Sequence, residues 1–358
     1  MAQVSEVAYH VGAFISTLFL LEFGADKFIA HTAIVAARIQ ISEVVIGLLT
    51  AGAEWEELAV VIASIAQGRS SLALGNVIGS SISNILGAFS LGLLCYERGE
   101  QIVFDRSSRI YSLLLLVLTT ALMPIIYYST RITWLVGGSI LIVAFVVYFL
   151  LVALAIGRGV LTAPEDSDSD SDSQSDVDDH DSSSVGSRTA LLPRNTGTRS
   201  YRHSLLYHGL YLLFGFLAIC LAGYVLSQAA IKITDQLGMS DVLFSVVILA
   251  VATTLPEKFI AVMSGYRGHP GILVANCAGS NIFLLSLCCG IIMVDTRGNL
   301  DRGTVTVSEL AVLWASTVAF TGTVWFGAKF SRSIGVAMLA GYIAFIILEF
   351  TVIHGNSG

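Results

Sequence analysis

The chain has 358 residues, of which 55% are hydrophobic and only 13% charged, and its mean hydropathy is +0.78. A soluble domain carries roughly a quarter charged residues, so composition excludes a soluble globular protein, a secreted disulfide scaffold, a collagen-like chain and a nucleic-acid binder. The net charge of −7 is concentrated in one stretch: Glu165, Asp166, Asp168, Asp170, Asp172, Asp176, Asp178, Asp179 and Asp181 supply nine acids, without which the formal charge would be +2.

Apolar runs long enough to cross about 30 Å of hydrocarbon at 1.5 Å per residue fall at 9–30, 43–66, 72–95, 110–128 and 133–156. The first contains Glu22, Asp26 and Lys27 and is followed by no small-residue cleavage site, so it reads as a retained span and not a signal peptide. The acidic stretch comes next, within a linker over 161–204 that is too poor in apolar residues to offset the entropy of ordering. Its simplest role is a solvated spacer. Its Ser/Asp alternation also suits acid-directed kinases and weak oxygen-ligand binding, so a kinase or other regulatory partner is the further expectation at 165–185. Leu191-Leu192 resembles a dileucine sorting signal, with Ser187 where such signals want an acid. Five more runs follow at 205–235, 242–265, 271–294, 305–327 and 333–353. The expected fold is an all-α polytopic membrane protein of about ten transmembrane helices, organised as halves over 1–160 and 205–358. Cys95, Cys220, Cys277, Cys288 and Cys289 lie in apolar segments without zinc or bridge spacing and read as reduced, buried, small apolar residues.

Cytoplasmic loops hold the excess of Lys and Arg. One side of the membrane would carry Arg38, Arg98, Arg106, Arg109, Arg158, Arg188, Arg194, Arg199, Arg202, Arg267, Lys329 and Arg332, and the other only Arg69, Arg131, Lys232, Arg297 and Arg302. The first side, with the linker, is therefore expected to be cytosolic and both termini non-cytosolic. Two five-span halves must then run in opposite directions, as in inverted-repeat transporters.

The halves resemble each other at a constant offset of 200: Glu57 meets Glu257, Ser64 meets Ser264, Gly68 meets Gly268, Asn76 meets Asn276, and Gly79-Ser80-Ser81-Ile82 meets Gly279-Ser280-Asn281-Ile282. The matches fall mostly on glycines and polar residues, where apolar chance would not put them. A carboxylate deep in a bilayer costs several kcal/mol unless it meets a partner or water, and Glu57 and Glu257 each sit near a span centre. Lys258 follows Glu257 directly and is read as facing elsewhere, which leaves a bound cation as the compensation. Thr253, Thr254, Ser80, Asn84, Ser280 and Asn281 offer hydroxyl and amide oxygens without His or Cys, a shell that favours calcium, with sodium as a weaker companion. Asn76 and Asn276 lie one turn before Ser80 and Ser280 on the same helix face. Gly75, Gly79 and Gly279 would let the halves approach closely, although glycine and serine at this spacing are also ordinary packing residues.

Ala250 to Phe283, AVATTLPEKFIAVMSGYRGHPGILVANCAGSNIF, resembles one repeat of the sodium/calcium exchanger superfamily, with its PE pair, following glycine and N-x-x-G-S-N pattern. GAEWEELAVVIASIAQGRSSLALGNVIGSSISNIL keeps the same intervals in the first half. The resemblance implies that Glu57 and Glu257 are the central metal ligands, that Thr253 and Thr254 contribute, and that Ser80, Asn84 and Ser280 complete the shell. It also implies that helices one and six slide past a core of spans two, three, seven and eight. The first repeat departs from it: Ala53-Glu54-Trp55-Glu56 replaces Thr-Ser-x-Pro, and Leu284 stands where Asn or Asp is common. Glu54 is thus a candidate extra proton-titrating group.

These readings converge on a secondary antiporter, not an enzyme, that exchanges calcium or a related divalent cation for protons or sodium by alternating access; the lost hydroxyls favour protons. No resident cofactor is expected. Calcium is the transported ion, the partners are the lipid bilayer and inorganic cations, and the expected location is a eukaryotic vacuolar, other endomembrane or plasma membrane. The alternative is a non-transporting cation sensor or scaffold that keeps the fold.

Overall fold

The computed structural model describes residues 2–38, 54–96, 102–128, 130–157, 205–300, 304–326 and 330–353. The linker at 161–204, its regulatory stretch at 165–185 and the first part of the second predicted span lie outside the described residues. Every described element is helical: α1 Ala2–Arg38, α2 Trp55–Ala66, α3 Ser70–Cys95, α4 Arg106–Tyr127, α5 Arg131–Gly157, α6 Leu205–Leu237, α7 Asp241–Thr253, α8 Leu255–Tyr266, α9 Pro270–Thr296, α10 Val307–Phe326 and α11 Ser331–Leu348. Eight of these are long and apolar enough to cross a membrane, and α7 with α8 forms a further candidate span bent by 49°. The chain is therefore an integral membrane protein, and its described helices fall on the predicted runs. α1 extends several residues beyond the first run at both ends.

The two halves are related in their packing. α3 packs on α11 and α10, while α9 packs on α5 and α4, the pairs obtained when the halves are exchanged; α1 with α6, and α4 with α10, pair across the pseudo-symmetry. In the apolar windows of α3 and α9, 89% and 78% of residues are buried, against 22% in α5, so α3 and α9 form the centre and α5 faces lipid. π-helical stretches interrupt α3 at Ser83–Phe89 and α9 at Phe283–Cys288, nearly equivalent positions, and a third lies in α7 at Phe244–Leu249. Such bulges re-aim side chains and are frequent at functional sites.

Two of the repeated glycines have a backbone reason. Gly68 and Gly268 end α2 and α8 with φ of 67° and 72°, a left-handed conformation that glycine adopts without a Cβ penalty. In both, the next residue's N–H returns to a helix carbonyl: Arg69 to Ser64 and His269 to Ser264, each at 2.9 Å. This closes the last turn as a Schellman cap. Gly75 and Gly79 serve packing. α3 lies so close to α7 that a Cβ at Gly79 would sit 2.5 Å from the Val246 carbonyl oxygen. All five cysteines are free; Cys277, Cys288 and Cys289 are buried as expected, but Cys95 is only half-buried and Cys220 is exposed along α6.

A second inter-half junction lies at the end of the spans. Arg69, just before α3, donates through Nη1 to both carboxylate oxygens of Asp241 at 2.8 Å and through Nη2 to both of Asp235 at 2.7 Å. It thereby ties the end of α6 and the start of α7 to the first half. Burial works against the Arg69 charge, but the hydrogen bonds to Asp235 and Asp241 outweigh it and raise its pKa. The Asp241 side chain is only 1% exposed, so Arg69→Met would leave a buried carboxylate unpaired. The expected cost is about 3–5 kcal/mol, readable as a lowered thermal unfolding midpoint in detergent; an unchanged midpoint would contradict it.

Candidate ion site

Both repeated glutamates lie at the third position of a helix. α8 begins at Leu255 because the chain turns at Thr254, where φ −91° and ψ 19° leave the α-helical region. Pro256, at the start of α8, has no N–H to return to the Ala252 carbonyl, which opens the backbone at the bend. α2 begins at Trp55 after the non-helical Glu54, with no proline needed. Each carboxylate therefore sits in the first turn of a helix, at the positive end of its dipole.

Glu57 is 1% exposed and Glu257 5%, so neither faces lipid tails. The Asn76 side-chain amide donates to Glu57 Oε2, and Ser80 Oγ donates to Oε1 at 2.8 Å. These partners are one turn apart on α3 and clamp one carboxylate, which is the face their spacing predicts. Thr253, from the other half, lies beside Glu57, its hydroxyl donating to the Leu249 carbonyl at 3.0 Å. A carboxylate oxygen of Glu257 lies within 4.8 Å of one on Glu54, and the charge of Glu54 also acts on Glu57. Oxygens of Glu54, Glu56 and Glu257 all lie within 4.8 Å of one another. Glu54 thus links the two repeated glutamates, and carboxyl groups of both halves share one buried cluster.

Glu56 carries no signal in the repeat pattern. Two residues apart on a helix, Glu54 and Glu56 would point in widely different directions; they converge because Glu54 precedes the first helical residue. Several buried polar atoms around the site have no partner among the described residues: Asn76 Oδ1, both amide atoms of Asn84, Asn281 Oδ1 and Glu257 Oε2. Such orphans are costly unless a ligand meets them. The other sequence candidates do not bond the carboxylates directly. Asn84, Ser280 and Asn281 are buried, and Asn276 is half-buried; among the described residues none of the four hydrogen-bonds to a glutamate. Asn281 instead reaches Cys277 Sγ at 3.8 Å.

Thr254 and Lys258 correct the expectation that Lys258 faces away. Its Nζ donates to Thr254 Oγ1 at 2.5 Å, to the Thr254 carbonyl at 3.1 Å and to Ser83 Oγ on α3 at 2.8 Å. Tyr342 of α11 donates to Ser83 at 2.9 Å. The ammonium feels both Glu257 and Glu57 without forming an ion pair with either. The long stem accounts for the difference: Cβ directions separate positions 257 and 258, but Nζ reaches back one turn to Thr254. The donor set around the carboxylates is oxygen only, the chemistry of a hard cation.

The wider likenesses concern the chain as a whole. CaxA of Alkalimonas amylolytica is 24% identical over 338 residues, covering 93% of this chain and 96% of that protein. The inner membrane protein YrbG of Escherichia coli K12 is 24% identical over 334 residues, covering 92% and 94%. Among solved structures, the sodium-calcium exchanger NCX_Mj soaked with sodium aligns with a TM-score of 0.56 at 21% identity, over 95% of this chain and 99% of that one, which shows a shared fold. The family described as sodium/calcium exchanger protein matches residues 9–154 and 207–351, both halves and nearly all of the membrane region, and the chain belongs to that family.

Proposed function

We propose that the protein is a secondary active antiporter that moves calcium, or a related divalent cation, in exchange for protons or sodium, with Glu57 and Glu257 as shared ion ligands. Family membership supports a transporter and not an enzyme, with calcium as cargo and sodium as a counter-ion. The observation that carries the reading is the convergence of Glu54, Glu56 and Glu257, buried or half-buried, with buried Glu57 within reach of the Glu54 charge, near oxygens of Asn76, Asn84 and Glu257 that have no partner among the described residues. Carboxylates this close repel in a low-dielectric interior, and a divalent cation among them converts that repulsion into binding. Crowded buried carboxyls are relieved by a proton as well as by a metal ion, so calcium entering between Glu54 and Glu257 would compete with protons there. That supports protons as counter-ion beside the sodium suggested by the family.

In this reading Asn76, Ser80 and Thr253 position Glu57, while Asn84, Thr254, Ser280, Asn276 and Asn281 serve the shell in other stages of the cycle. The halves are 1–160 and 205–358, joined by a cytosolic linker at 161–204, with both termini non-cytosolic. α1 and α6, which pack on each other and on α2, would slide against the core of α2, α3, α7, α8 and α9. A eukaryotic vacuolar, other endomembrane or plasma membrane, and a kinase or regulatory partner at 165–185, rest on the linker's composition alone; the relatives named above come from bacteria.

The test is calcium uptake into proteoliposomes under imposed proton and sodium gradients. Uptake driven by either gradient supports antiport, and the gradient that drives it names the counter-ion. A protein that binds calcium and moves none under either would be a sensor or scaffold.

A further inference from the structure

An ammonium group inside a membrane core is as expensive as a carboxylate, yet Lys258 is half-buried there without an ion pair among the described residues. Its surroundings are constructed for it. Thr254 supplies a hydroxyl and a carbonyl oxygen and Ser83 a hydroxyl, at 2.5–3.1 Å from Nζ. Tyr342 donates to Ser83 and turns the Ser83 lone pair toward the ammonium. Gly87 makes room for the stem, since a Cβ there would lie 3.3 Å from Lys258 Cε. Helices α3, α8 and α11 thus build an oxygen nest at the side of the carboxylate cluster. An ammonium and a potassium ion carry the same charge and are similar in size, and both are satisfied by several neutral oxygens.

We infer that Lys258 is a tethered monovalent cation: its ammonium fills a nest in which a potassium-sized ion would otherwise offset the charge of Glu57 and Glu257, so the exchanger carries one of its monovalent charges within the chain. The inference rests on the antiport reading and assigns the specificity of that site toward monovalent ions. The charge remains when calcium leaves, which lowers the cost of the unloaded carboxylates. It also makes free potassium unnecessary. Removing the ammonium while keeping the nest oxygens would create a potassium requirement.

The experiment is calcium uptake into proteoliposomes by the full chain under its driving gradient, with potassium present or replaced on both faces by N-methylglucamine. Wild-type uptake is expected to be indifferent to potassium. Lys258→Met keeps most of the apolar stem but ends one atom short of Nζ, which leaves the nest open; its uptake is expected to fall by about tenfold or more without potassium, as buried charge loses its partner. Added potassium should restore it, and the variant alone should bind radioactive rubidium. Lys258→Arg, which keeps the charge, should show no potassium requirement. Three results overturn the inference: wild-type uptake that needs potassium, Lys258→Met uptake equal to wild type in its absence, or a monodisperse Lys258→Met protein that no potassium concentration restores. The wild-type arm decides even where the variant fails to fold. Wild-type protein that moves no calcium at all overturns the antiport reading instead, and the inference with it.

Discussion

Glu257→Gln is expected to abolish calcium uptake in proteoliposomes while leaving a folded, monodisperse protein, and Glu57→Gln to do the same. Glutamine keeps the shape of the side chain and an oxygen that can accept from Asn76 or Ser80, so packing around position 57 survives. What disappears is charge in a region where charge is worth several kcal/mol, and uptake should drop by about a hundredfold or more. If Glu57 and Glu257 were only packing residues, both variants would transport, because the neutral side chain costs less to bury than the carboxylate it replaces. Unaltered uptake in either variant would remove that residue from the site.

Gly79→Val should be the most damaging single change to the fold. Its Cβ would meet Val246 backbone atoms at 2.5 and 2.6 Å and the Ala250 side chain at 2.8 Å, and backbone cannot rotate away as a side chain can. α3 and α7 would have to separate, moving Ser80 from Glu57 and Thr253 from both. The expected loss is about 3 kcal/mol or more, at the upper end of overpacking costs, together with calcium binding. Gly322→Ala in α10 is the control: nothing lies within 4 Å of its Cβ, and alanine in a helix should gain up to about 1 kcal/mol. Thermal unfolding of the two variants in detergent compares them; similar midpoints would mean the α3–α7 crossing is not tight in the working protein.

Much of this architecture is legible in the sequence because lipid imposes simple rules. Hydropathy marks the runs, and the offset of 200 pairs residues that the fold then uses alike, such as Gly68 and Gly268 at the same kind of helix cap. Helical spacing places Asn76 and Ser80 on one face, and both meet Glu57. Three kinds of information are hidden from such reading. Pairing by offset assumes that equivalent residues have equivalent contacts, yet Asn76 holds Glu57 while half-buried Asn276 makes no hydrogen bond to Glu257. Periodicity presupposes a continuous helix, so the convergence of Glu54 with Glu56 at a helix start lies outside it. Position along a helix also says little about the tip of a long side chain, which is why Lys258 reaches Thr254 and Ser83. The π stretches carry no sequence pattern of their own.

The account's central claim is that Glu57 and Glu257, one from each half, hold a single ion together. A double-mutant cycle on calcium binding to the purified protein, read by titration calorimetry, tests this directly. A shared ion predicts that Glu57→Gln and Glu257→Gln each remove nearly all binding and that the double variant loses little more, a strongly non-additive cycle. Losses that add, or half the binding stoichiometry surviving in each single variant, would mean separate sites and contradict the claim.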